Sequence, residues 1–108
     1  ANLIILTENL KGNDRIRTAT DYLMFTRKSL ENQTEKREFP DKTIKTQKLD
    51  NIDFAEMNVV IHDAEINYKQ KYLTSIINGF ALTLIQTYQY PSQQAQLEQV
   101  TKSVRFGK

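Results

Sequence analysis

Residues 66–88 read INYKQKYLTSIINGFALTLIQTY, and the Asn78-Gly79 pair at their centre is the sharpest local signal in the chain. Between two runs rich in β-branched and aromatic residues, Asn-Gly favours a type I′ hairpin, because both central positions need positive φ. On the first arm Tyr68, Gln70 and Tyr72 take one face, with Lys69 and Lys71 on the other. On the second arm Phe80, Leu82 and Leu84 alternate with Ala81, Thr83 and Ile85. Such period-two patterning defines antiparallel strands.

Upstream of this hairpin, Met57, Val59 and Ile61 alternate with Asn58, Val60 and His62, and Asp63-Ala64-Glu65 supplies a turn. Ile44, Thr46 and Lys48 form a weaker strand that Asp50-Asn51 turns into Ile52-Asp53-Phe54. Residues 33–42 are charged, end in Phe39-Pro40-Asp41 and read as an exposed loop. Thr18 caps a helix, with Asp21 in the position that completes a capping box. Ala19, Leu23 and Leu30 then recur at helical spacing to about Gln33. Leu3 to Glu8 reads as a short apolar strand of the kind buried on both faces, followed by a polar loop around Gly12. After Tyr90-Pro91, Ser92 caps a second helix whose apolar stripe is Leu97, Val100 and Val104. The order is strand, helix, a meander of three or four strands, and a closing helix. That order defines an α+β protein, not a doubly wound parallel fold. Phe80, Leu82, Leu84 and Ile61 are expected to share one core face under Leu97, Val100 and Val104.

Length and composition narrow the function classes. A chain of 108 residues suits a single domain, residues 1–108. The net charge of +2, with fifteen basic residues scattered among thirteen acids, argues against nucleic acid. There is no cysteine, which removes disulfides and thiolate chemistry. No apolar run approaches the ~20 residues of a membrane span.

Candidate chemistry is sparse. His62 is the only histidine, and His62-Asp63 are strand neighbours that point to opposite faces, so they cannot form a triad. Asp50, Asp53, Glu56, Asp63 and Glu65 lack the spacing of a calcium loop and read as solvated turn residues. Lys69 and Lys71 read as a wet stripe opposite a core-facing Tyr68 and Tyr72. A nucleic-acid platform would need both types on one face. There is no glycine-rich phosphate cradle. Residues 34–42 remain as a charged partner-binding loop. No catalytic, cofactor-binding or metal residues are assigned. A small-ligand or isomerase-type site, the alternative class, would need an acid or base in an apolar pocket, for which Asp53 and Tyr88 are the candidates.

Three stretches resemble the PsbP/DcrB/Mog-type family. They are Leu3 to Leu6 ahead of the helix Thr18-Ala19-Thr20-Asp21-Tyr22-Leu23; the hairpin from Tyr68-Lys69-Gln70-Lys71-Tyr72-Leu73 to Gly79-Phe80-Ala81-Leu82-Thr83-Leu84; and the finish Ser103-Val104-Arg105-Phe106. The resemblance implies an α/β/α sandwich, a twisted and mostly antiparallel sheet flanked by helices. It also implies non-enzymatic work, as bacterial DcrB-like envelope proteins, lipoproteins or chaperones, with a protein or peptide partner and no cofactor. An extracytoplasmic or periplasmic location follows from that likeness, with a cytoplasmic one as the alternative; a start at Ala1 is consistent with a signal or lipid anchor ahead of it. The family usually opens with a hairpin bearing Pro and Trp, and this chain has no Trp. Without that hairpin the sheet would keep an open edge needing cover.

Overall fold

The computed structural model describes residues 1–33, 36–41 and 43–106. They form an α+β fold: β1 (Asn2–Asn9), α1 (Ala19–Glu31), β2 (Lys36–Glu38), β3 (Lys45–Leu49), β4 (Ile52–Asp63), β5 (Ile66–Ile77), β6 (Phe80–Tyr88) and α2 (Pro91–Ser103). One antiparallel sheet runs β1-β6-β5-β4-β2, and β3 pairs with the other end of the β4 edge.

Local chemistry accounts for the meander β3-β4-β5-β6. Asn78 and Gly79 have φ of 52° and 80°, as a type I′ turn requires, and close the register Ile77↔Phe80. Asp50 and Asn51, at φ 51° and 62°, make an equivalent two-residue turn between β3 and β4. Asx side chains tolerate this left-handed region better than most. Ala64, at φ 51°, closes β4 to β5 without that help.

Alternation along the strands separates two cores. Leu23 of α1 is fully buried among Met57, Val59, Ile61 and Tyr72, with Ala19, Tyr22 and Leu30 packed around them. The opposite side chains, Phe54, Leu73 and Leu84 with Leu49, form a second cluster. Phe106 closes its end: its ring lies 5.3 Å from that of Phe54, and its N–H donates to Asp50 Oδ2 at 2.9 Å. Helix α2 meets this second side through Gln86, whose Nε2 donates to Thr101 Oγ1 at 2.7 Å while Thr101 donates to the Leu97 carbonyl at 2.8 Å.

Several expectations change. Ile61 lies under α1, away from Leu82 and Leu84, because β4 pairs so that its odd residues share the Tyr72 side. Phe80 is 44% exposed and Leu82 only partly buried, since α2 sits nearer the other end of β6. The buried stripe of α2 is Leu97 and Thr101; Val100 is 52% exposed. The helix is rotated from its apolar reading because Thr101 satisfies the buried amide of Gln86. Its N-cap is Tyr90, with Pro91 in the first turn, instead of Ser92. The Gln93 side chain folds back to accept from the Gln89 and Tyr90 N–H groups.

Within residues 33–42, Lys36–Glu38 form a strand against Val60–His62, not a loop, while Thr34, Glu35 and Lys42 lie outside the described residues. The loop after β1 carries two buried anchors, Leu10 and Ile16, against Ala81. Thr18 does cap α1 in a capping box with Asp21. Those main-chain bonds, the Arg17 N–H first, hold the Asp21 carboxyl below its ordinary value.

Candidate functional site

The largest departure from the sequence reading is β1. An apolar strand of this kind is expected to be buried on both faces, yet it is the outermost strand of the sheet. Among the described residues only β6 pairs with it, from Asn2↔Thr87 to Asn9↔Phe80. Leu3 reaches the Phe54 cluster and is partly buried. Ile4, Ile5 and Leu6 are 43%, 55% and 50% exposed. The physical reason is helix placement: α1 packs chiefly over β4 and β5 and α2 over β6, so β1 lies outside the main contacts of both helices.

Which main-chain groups are free follows from the ladder. Leu10 N–H donates to the Gly79 carbonyl at 2.9 Å, continuing the Asn9↔Phe80 register as a hydrogen-bonded pair. Such pairs recur every second residue. The even residues Asn2, Ile4, Leu6 and Glu8 therefore bond to β6. The N–H and C=O groups of Leu3, Ile5 and Thr7 point away from the sheet. Side chains flank this row on both sides: Ile4 and Leu6 on the α1 side, Ile5 on the α2 side. Glu8 accepts a hydrogen bond from the Tyr22 hydroxyl at 3.1 Å, fixing the end of β1 to α1. Beyond Asn9 the strand runs into a depression of about 410 Å³ lined by Leu10, Ile16, Ile76 and the half-exposed Phe80.

The opposite edge is different. There β2 is three residues long and carries Lys36, Arg37 and Glu38, and β3 presents Lys45 and Lys48. Short, charged edge strands resist pairing with other chains. On β1, eight residues run without Pro, Gly, Lys or Arg and without a break in register.

The residues singled out for chemistry are dispersed. His62 Nδ1 lies 2.7 Å from Asn67 Oδ1, and its Nε2 lies 3.1 Å from Glu38 Oε1 without hydrogen-bond alignment. Asp50 caps Phe106, Asp53 faces Lys48 at 3.5 Å, and Glu56 accepts from Asn58 at 3.1 Å. Asp63 and Glu65 stand exposed at the far end of the sheet. Among the described residues no three His, Asp or Glu side chains converge as metal ligands would. Asp53 and Tyr88 lie on opposite faces and form no common site. Tyr88 is buried, which raises its hydroxyl above the usual phenol value, and it borders a cavity of about 280 Å³ with Asp41, Asn58 and Lys69. Within it Asn58 donates to Asp41 at 2.7 Å. That bond, with Lys45 nearby, lowers the Asp41 carboxyl.

Tyr68 and Tyr72 do face the α1 core. Lys69 is exposed, but Lys71 is not part of a wet stripe: its side chain is 12% exposed and its Nζ bonds Glu98 of α2 at 3.1 Å. The buried Gln86–Thr101 pair had no sequence signal beyond a polar residue on an apolar strand. Among the described residues no helix is long and apolar enough to cross a membrane. No protein-family model matches the chain, and no curated protein matches it either.

Proposed function

We propose that this domain is a non-catalytic protein-binding module, and that it receives an extended segment of a partner along β1. The observation that carries the reading is an eight-residue, uncharged-centre edge strand with Ile4, Ile5 and Leu6 exposed and a free row of main-chain groups. An incoming strand would gain main-chain hydrogen bonds from Leu3, Ile5 and Thr7 and cover apolar surface on both faces. The depression at Leu10 and Phe80 would hold an apolar side chain beyond the paired stretch. The resemblance to the PsbP/DcrB/Mog-type family supports an α/β/α sandwich, with α1 and α2 on opposite faces, and an accessory or chaperone-like role in the cell envelope, outside the cytoplasm.

Hydrogen exchange tests this reading. A bound protein or peptide is expected to slow the amides of Leu3, Ile5 and Thr7 while leaving Ile4 and Leu6, already bonded to β6, little changed. Protection confined to the cavity beside Tyr88, with a small molecule bound there, would favour the ligand-binding alternative instead.

A further inference from the structure

We infer that β1 pairs with β1 of a second copy of this chain, antiparallel, about a two-fold axis through Ile5. The inference rests on the edge-strand reading and adds the identity of the occupant and its register.

The argument starts from parity. Outward main-chain groups belong to the odd residues of β1, so an antiparallel partner strand must set odd against odd. With two identical strands, few registers satisfy this. Centring on Ile5 pairs Ile5 with itself, Ile4 with Leu6 of the other copy, Leu3 with Thr7 and Asn2 with Glu8. The three exposed apolar side chains are thereby matched with one another. Shifting the axis to Leu6 sets Ile4 against Glu8, and shifting it to Ile4 sets Leu6 against Asn2.

Charge agrees. Glu8 is the only charged side chain between Asn2 and Glu8, and in this register it faces an amide, so no like charges oppose each other. That carboxylate is also held in place by the Tyr22 hydroxyl. Faces agree as well. Ile4 and Leu6 lie on the α1 side and Ile5 on the α2 side, and a two-fold axis normal to the sheet keeps each side continuous across both copies. The paired stretch supplies roughly six main-chain hydrogen bonds. One added strand per copy buries an area at the low end for a specific interface. Association through so small a surface is concentration-dependent.

The absence of cysteine makes the test clean. Hydrogen-bonded antiparallel pairs have Cα atoms about 5.5 Å apart, within disulfide reach. Ile5→Cys in the 108-residue chain is expected to oxidise to a covalent dimer at least tenfold faster than Leu6→Cys, whose self-distance is longer. Sedimentation of Ile5→Lys and of Ile5→Glu should each show monomer, with circular-dichroism melts that match the parent diluted until it too is monomeric, and a 1:1 mixture should restore the dimer. Faster cross-linking of Leu6→Cys would overturn the register. A monomer at several hundred micromolar with no Ile5→Cys cross-link would overturn the second copy as occupant. If an unrelated extended apolar peptide then protects the Leu3, Ile5 and Thr7 amides, the edge reading stands without it; if none does, both fall.

Discussion

Ala64 holds φ 51° in the two-residue turn between β4 and β5, a region that costs an L-residue with a Cβ about 1–2 kcal/mol. Ala64→Gly should therefore raise stability by up to about 1 kcal/mol, the relief being partly offset by glycine's freedom in the unfolded chain. A lower melting temperature would show that the turn is not strained. Gly79 tests the same physics in reverse. A Cβ there would meet nothing within 4 Å, but φ is +80°. Gly79→Ala is expected to cost about 1–2 kcal/mol by backbone conformation alone. In the core, Leu23 is fully buried under α1, and Leu23→Ala should cost about 2–5 kcal/mol in chemical denaturation. Val100→Ala, on the exposed side of α2, should stay within about 0.5 kcal/mol. Equal losses at the two sites would mean that α2 is rotated back to its apolar stripe.

Among the elements, the strands of the hairpins were legible because turn chemistry and alternation agree. Asn78-Gly79 and Asp50-Asn51 each place residues that tolerate positive φ between period-two runs. What could not be read was which strand lies at the edge. Leu3-Ile4-Ile5-Leu6 carries the composition of a doubly covered strand, and only the placement of the helices leaves it open. The face of α2 was equally hidden, because Thr101 is buried to meet Gln86, a pairing set by tertiary contact and not by hydrophobic period. Gln86 sits 1% exposed with Oε1 lacking a hydrogen-bond partner among the described residues. Thr101→Val would strip its Nε2 partner as well and is expected to destabilise by about 1–3 kcal/mol. Adding Gln86→Leu should recover most of that loss, since an apolar pair leaves no stranded amide. A double variant no more stable than Thr101→Val would refute the pairing as the reason for the helix's rotation. The candidate site follows the same rule: its residues are visible in the sequence, and its exposure is a property of the assembled sheet.

Across the whole molecule, titration should limit stability from both sides. Asp21 and Asp41 are held below their ordinary value of 3.8, chiefly by the Arg17 main-chain N–H and by the Asn58 amide respectively. Groups lowered on folding stabilise above their unfolded value, and that contribution disappears as pH falls through the folded value. The acid loss should therefore begin near pH 4 and continue below it. Tyr72 and Tyr88 move the other way, raised above 10.0 first of all by burial. A phenol raised on folding stays protonated in the native state while its unfolded counterpart ionises, so stability holds below pH 10 and falls as pH climbs through the raised value. Tyr88 offers the cleaner probe, because Tyr72 also donates to Gln70 at 3.1 Å. Tyr88→Phe keeps the buried ring and removes only the titrating hydroxyl. At pH 7 its melting temperature is expected to lie within a few degrees of the parent. Between pH 10 and 12 its stability should fall less steeply, measured by denaturant melts at successive pH values. Parallel slopes in the two proteins would mean that the Tyr88 hydroxyl is as well solvated folded as unfolded, and that the polar cavity beside Asn58 and Lys69 is open to water.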